Sequence, residues 1–213
     1  MHGYGLEFAQ VALAHLLAVA SPGPDFAIVL RQSLAHGRRT AVWTSLGVGA
    51  GISLHVAYSL LGLGLLIRGS ALWFDVVKYA GAAYLAWLGV QALRTKPRAA
   101  AAIAGAPPAA GTPSRRGAFA TGFLTNALNP KATLFFVALF VTVISPRTPK
   151  LVQAGYGLWM VAATAGWFSL VSAVFTRERV RSAFLRRGHW IDRALGVVFL
   201  AFAAGLLSAS LRG

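Results

Sequence analysis

Two short segments of the chain place prolines beside a charged residue within an apolar stretch. The first contains Pro22, Gly23, Pro24 and Asp25. Proline removes a backbone N–H donor and clashes with the preceding helical turn, and glycine adds conformational freedom. The segment therefore predicts a helix that is interrupted, not merely bent. Such a break exposes backbone N–H groups at the positive end of the following half-helix, next to Asp25.

The second segment contains Asn126, Asn129, Pro130 and Lys131. Asparagine before proline predicts that one helix ends and another begins, with proline at its first position. Asn126 lies three residues before Asn129, hence on nearly the same helix face. A small zwitterion suits two such breaks, because Asp25 attracts an amine or a proton while Lys131 and the half-helix amides attract a carboxylate.

Other interpretations of these polar residues stay open from the sequence. Asp25 and Lys131 could pair only with each other and hold the protein together, or Asp25 could merely cap its half-helix. His55 could relay a proton, or it could be a hydrogen-bonded packing residue. Asn126 could line a cavity or satisfy freed backbone.

The elements that carry these residues are apolar throughout. Of 213 residues, 57% are hydrophobic and 12% are charged, against about 25% charged in soluble domains. Six segments reach the about 20 residues that a membrane span needs. They are 8–30, 41–67, 72–93, 118–144, 151–175 and 190–211. We therefore expect an all-α membrane protein with six transmembrane helices, in which helices 1 and 4 are broken by proline.

The chain is expected to form a single transmembrane domain over 1–213. A stretch rich in alanine and proline predicts a flexible linker at 97–116 between a first half, 1–96, and a second half, 117–213. Three spans in each half predict two inverted halves, an arrangement common in secondary transporters. Glycines at 47, 49, 51, 62 and 64 are expected to allow close helix packing.

Charge is distributed unevenly along the chain. The net charge is +15, and most basic residues fall within the predicted loops at 31–39, 94–116 and 177–187. The positive-inside rule places these loops in the cytoplasm and both termini outside. The partner of this charge is then the lipid bilayer and not nucleic acid.

The sequence contains no pattern typical of an enzyme or of a cofactor site. It has no cysteine and no glycine-rich phosphate loop, and its histidines lack metal-ligand spacing. Glu7, Glu178 and Asp192 are expected near helix ends and form no paired-carboxylate site. We therefore predict no catalytic activity, no metal and no cofactor.

Several motifs resemble the LysE-type amino-acid exporter family, especially its homoserine and threonine efflux branch. They are SPGPDFAIVL at 21–30, HGRR at 36–39, KYAGAAYLAWLG at 78–89, FLTNALNPKATLFF at 123–136, and the closing helix after Ile191-Asp192-Arg193. The resemblance runs nearly end to end. It implies a bacterial inner-membrane protein that exports amino acids or close derivatives in exchange for protons, and it implies homodimers. It also implies functional roles for Pro22, Gly23, Pro24, Asp25, Asn129, Pro130 and Lys131.

The predicted function is therefore secondary efflux of an amino-acid-like solute. Three alternatives are an exporter or channel for another small solute such as a metal ion, a membrane enzyme acting on lipid, and a non-transporting scaffold. A metal route favours several acids or histidines, and a lipid enzyme requires a nucleophile or metal constellation.

Overall fold

The computed structural model describes residues 3–69, 71–96, 111–145, 147–175 and 177–210. Within these ranges the chain forms seven helices and no strands. The helices are α1 (Gly3–Ala20), α2 (Pro24–Gly69), α3 (Ala71–Leu93), α4 (Arg115–Ala127), α5 (Pro130–Thr142), α6 (Lys150–Val174) and α7 (Glu178–Ser210). Residues 97–110 of the predicted linker lie outside the described residues.

Both predicted helix breaks are confirmed. Between α1 and α2 the helix is interrupted at 21–23, and α2 begins at Pro24. Between α4 and α5 the interruption covers Leu128 and Asn129, and the two helix axes differ by 57°. Pro130 begins α5 because a first-turn residue needs no intrahelical N–H bond.

The expected loop at 31–39 is reduced to a one-residue break at Gly37, where two helices meet within α2. Helix α2 continues through Arg31, and its one non-helical residue is Gly37, with φ 80° and ψ 170°. Glycine adopts this left-handed φ without a steric penalty. The expected loop at 177–187 is also largely helical, because α7 begins at Glu178. Arginine is a good helix former, so a basic cluster need not interrupt a helix that extends beyond the apolar layer.

Six of the seven helices contribute to a continuous apolar core. Phe135, Phe136 and Phe140 of α5 lie at its centre, against Met160 of α6 and Phe199 of α7. A second cluster joins α2 to α6 beside the first helix break. Many large apolar side chains are instead exposed on the outer surface, including Leu151 and Leu158. Such a surface suits a lipid environment.

Glycines bring α2 against its neighbours at close range. A Cβ atom added at Gly47 would lie 2.0 Å from the Phe119 carbonyl oxygen, and one at Gly49 would lie 2.8 Å from Ala165 Cβ. A Cβ at Gly51 would lie 2.7 Å from Asn126 Oδ1. The packing prediction is therefore confirmed for these three residues. It is wrong for Gly62, which has nothing within 4 Å, and the surroundings of Gly64 lie outside the described residues.

Glu7 fastens α1 to the turn between α5 and α6. Its carboxylate accepts hydrogen bonds from the Ser145 backbone N–H at 2.8 Å and from Thr148 Oγ1 at 2.9 Å. The side chain is buried. The carboxylate thus compensates for its burial with hydrogen bonds.

The described helices include three that are long and apolar enough to cross a bilayer: Gly3–Ala20, Pro24–Gly62 and Lys150–Val174. The bent pair α4 and α5 would supply a fourth span. The segment Pro24–Gly62 contains the turn at Gly37, so it includes the second part of predicted span 1 and much of predicted span 2. The all-helical, apolar character is confirmed, whereas six spans in two inverted halves stay a prediction.

Candidate functional site

The two helix breaks meet at one cavity of about 50 Å³. Six predicted residues line it: Gly23, Pro24, Asp25, Asn126, Asn129 and Lys131. Pro22, Pro130 and His55 lie beside the cavity instead of in its described wall. At about 10–15 Å³ per water, the cavity has room for roughly three to five waters or for a solute of comparable size.

Asp25 is held by the two asparagines of the second break. Asn126 Nδ2 donates a hydrogen bond to Asp25 Oδ2 at 2.9 Å, and Asn129 Nδ2 donates to the same oxygen at 3.4 Å. The other oxygen, Oδ1, is buried and has no hydrogen-bond partner within the described ranges. Because a buried carboxylate oxygen normally has a partner, Oδ1 is the natural position for a solute donor or a proton.

Asn129 also begins α5. Its Oδ1 accepts a hydrogen bond from the Lys131 backbone N–H at 3.0 Å, which is the geometry of an N-cap. One asparagine therefore sets the start of the second half-helix with its oxygen and holds Asp25 with its nitrogen. This dual use fixes the distance between the two breaks.

Lys131 connects to the first break through Ser21. Lys131 Nζ donates to Ser21 Oγ at 3.1 Å, and Ser21 Oγ donates to Asp192 Oδ1 at 2.5 Å. Asp192 is buried inside α7, so the expectation that it lies near a helix end is wrong. Neither Ser21 nor Asp192 was predicted as a site residue: Ser21 begins the break, but its partner Asp192 is 171 residues away.

His55 supports Asn126 from α2. His55 Nε2 lies 3.0 Å from the Asn126 carbonyl oxygen, and Nδ1 lies 2.6 Å from the Tyr58 hydroxyl. Since a carbonyl can only accept, Nε2 carries a proton. The ring also stacks on Phe136 with a centroid distance of 5.4 Å. These contacts describe a packed and hydrogen-bonded residue, and a role for His55 in proton transfer stays a prediction.

His15 is a second buried histidine, and it was not among the predicted site residues. It lies in the cavity wall, and its Nε2 is 3.2 Å from the Met160 carbonyl oxygen and 3.0 Å from Thr164 Oγ1. Its Nδ1 is buried and has no hydrogen-bond partner in the described part of the chain. Its position within an apolar segment could have identified His15 as a candidate site residue, because ionisable residues inside membranes usually have a function.

Much of the remaining wall of the cavity is apolar. It includes Ile52, Leu88, Phe135, Phe168 and Phe199. Electrostatic attraction is stronger beside such a low-dielectric wall than in water. The cavity therefore combines carboxylate and ammonium groups with a small volume, which suits a zwitterion. Among the described residues, no three His, Asp or Glu side chains are grouped as metal ligands.

Comparisons with known proteins identify the family of the chain. The LysE type translocator family model matches residues 16–210. The threonine efflux protein of Escherichia coli K12 is 32% identical over 200 residues, covering 94% of this chain and 97% of that protein. The homoserine/homoserine lactone efflux protein of Salmonella typhimurium LT2 is 38% identical over 205 residues, covering 95% and 96%. No solved structure matches the chain significantly. The chain belongs to the LysE type translocator family, and it is a membrane transporter and not an enzyme.

Proposed function

We propose that this chain exports a small amino acid, such as threonine or homoserine, in exchange for protons. The observation that carries the proposal is the meeting of both helix breaks at one small cavity, with Asp25 and Lys131 in its wall. The names of the two relatives support the solute class. Family membership supports transport itself.

The cavity has a complementary group for each end of an amino acid. The solute ammonium group binds the buried Oδ1 of Asp25, which has no hydrogen-bond partner within the described ranges. The solute carboxylate binds near Lys131, at the positive end of α5. A small solute volume is consistent with the size of the cavity.

Exchange with protons follows from competition for one oxygen. Asp25 Oδ1 can hold either the solute ammonium group or a proton, because both need the same lone pairs. Solute binding then displaces the proton on one side of the membrane, and a proton displaces the solute on the other. One group that holds two ligands in alternation is sufficient for antiport.

The proposed setting is the bacterial cytoplasmic membrane. There the chain has six spans in two inverted halves, both termini outside, and halves that rock about the cavity. Homodimers are part of the proposal on the strength of the family resemblance. Cysteine labelling from outside intact cells at residues 3 and 5 tests the position of the amino terminus.

An efflux assay tests the proposed function. Cells are loaded with threonine- or homoserine-containing dipeptides, and release of the amino acid is measured with the wild type, Asp25→Asn and Lys131→Met. We expect release by the wild type and loss in both variants at equal membrane expression. Glu178→Gln is the matched control, because this exposed carboxylate pairs with Arg181 outside the cavity.

Three outcomes would contradict the proposal. If Asp25→Asn and Lys131→Met both release the amino acid as fast as the wild type, the cavity is not the transport site. Thermal stabilisation of the purified protein by divalent ions, without stabilisation by any amino acid, would favour a metal-ion exporter. Absence of any solute flux would favour a scaffold.

A further inference from the structure

Helix α7 contacts the first break at two points. Asp192 accepts the Ser21 hydroxyl at 2.5 Å. One helical turn earlier, Gly188 faces Pro22, and a Cβ atom added there would lie 3.1 Å from Pro22 Cγ. The last helix of the chain therefore supports the residues that open the first break.

The hydrogen bonds through Ser21 have a defined direction. A serine hydroxyl has one proton and two acceptor lone pairs. The proton is directed to Asp192, so the oxygen accepts from the Lys131 ammonium group. The result is a cation, a hydroxyl and an anion in sequence. In such a chain each group polarises the next and each charge is compensated.

Asp25 takes its hydrogen bonds from a different set of groups. Its Oδ2 accepts the side-chain amides of Asn126 and Asn129, which are neutral donors. Amide donors hold a carboxylate in place without cancelling its charge. The two acids of the cavity region thus have different surroundings. Asp192 is joined to the Lys131 ammonium group through a hydroxyl, whereas Asp25 is held by amides and interacts with Lys131 electrostatically.

We propose that Asp192 is the counter-ion of Lys131, joined to it through Ser21, and that this pairing leaves the Asp25 carboxylate to the solute. Asp192 is then a positioning residue, since it acts through Ser21 and Lys131. The inference rests on the proposed function for the role of Asp25. It assigns a transport role to α7, beyond the two breaks that the sequence motifs mark.

The proposal predicts a specific change in transport kinetics. In Asp192→Asn, Lys131 loses its counter-ion and pairs with the Asp25 carboxylate instead. The solute ammonium group must then displace the Lys131 ammonium group from Asp25. We expect the apparent KM for threonine in proteoliposomes to rise at least tenfold, with a smaller change in the maximal rate. Ser21→Ala removes the link but no charge, and we expect the same direction of change. Asp192→Glu keeps the charge and restores part of the affinity.

Thermal unfolding provides a readout that is independent of transport. Removing one member of a part-buried pair of charges leaves the other charge uncompensated, whereas removing both does not. We expect Asp192→Asn and Lys131→Met each to lower the melting temperature, and the double variant to melt above both. The double variant Asp25→Asn/Lys131→Met is the comparison. Asp25 interacts with Lys131 electrostatically but shares no hydrogen-bonded link with it through Ser21, so we expect a smaller recovery in this variant.

The outcomes separate this inference from the proposed function. If the wild type moves no amino acid, the proposed function fails, but the melting temperatures still test the pairing. If Asp192→Asn and Ser21→Ala keep the wild-type KM, or if recovery occurs only in the Asp25/Lys131 double variant, the pairing is overturned. Glu178→Gln, on the same helix, should change neither quantity.

Discussion

Replacing Gly51 by alanine perturbs the cavity indirectly, because Gly51 does not line the cavity but packs against Asn126, which does. The new Cβ would lie 2.7 Å from Asn126 Oδ1 and 2.8 Å from Asn126 Cβ. Both distances are too short for these atoms to coexist, so Asn126 must move. Asn126 supplies the shorter of the two hydrogen bonds to Asp25, at 2.9 Å.

The expected magnitude follows from that hydrogen bond. A hydrogen bond to a charged group contributes about 1.5–3 kcal/mol, and each 1.4 kcal/mol corresponds to about a factor of ten. If displacement of Asn126 breaks the bond, we expect efflux to fall roughly tenfold to a hundredfold. The loss reflects a misplaced Asp25 carboxylate, since no ionisable group has been removed.

Two other glycines of α2 supply the controls. Gly62→Ala should be neutral, because nothing lies within 4 Å of its added Cβ. Gly49→Ala is comparably crowded, at 2.8 Å from Ala165 Cβ, but it does not face Asn126. Efflux in proteoliposomes and thermal unfolding in detergent are measured for all three. Wild-type efflux by Gly51→Ala, or equal losses in Gly49→Ala and Gly51→Ala, would refute the reasoning.

Substitutions at three further positions test individual side chains. Asn129→Ala removes the cap of α5 and one hydrogen-bond donor to Asp25, so we expect about 1 kcal/mol lower stability and reduced efflux. Asn129→Ser should restore the melting temperature but not efflux. His55→Phe loses two hydrogen bonds, and we expect a lower melting temperature, by about 1–3 kcal/mol in stability, with an unchanged pH profile of efflux. A displaced profile would instead assign His55 to the proton path. Glu7→Ala leaves the Ser145 N–H without its acceptor, and we expect the free energy of unfolding to fall by about 1–3 kcal/mol in thermal unfolding. Glu7→Gln should be intermediate. Unchanged stability in either variant would contradict the proposed role of Glu7 in holding α1.

The breaks were predictable because their causes are local. A proline beside glycine, or after asparagine, prevents regular helix hydrogen bonding whatever surrounds it. Asp25, Asn126, Asn129 and Lys131 were therefore identified from the sequence, and they do line one cavity. Arg31 itself lies in a helix and not in the predicted loop, because charge opposes burial in lipid but does not oppose helix formation.

The contribution of α7 could not be predicted from the sequence. Asp192 reaches the site through a contact between residues 171 positions apart, and nothing in its neighbourhood indicates which residue it meets. The packing of the glycines was equally unpredictable, since nothing in the sequence distinguishes Gly51 from Gly62. Only the packing of α4 against α2 gives Gly51 a neighbour and leaves Gly62 without one.

The most direct test of the central claim is release of threonine from loaded proteoliposomes when the outside is acidified. The claim is that one cavity between the two breaks holds an amino acid and a proton in alternation at Asp25. It predicts that acidification accelerates release by the wild type and that Asp25→Asn shows no such acceleration. Acceleration of equal size in Asp25→Asn, or none in a wild type that still carries threonine, would contradict it.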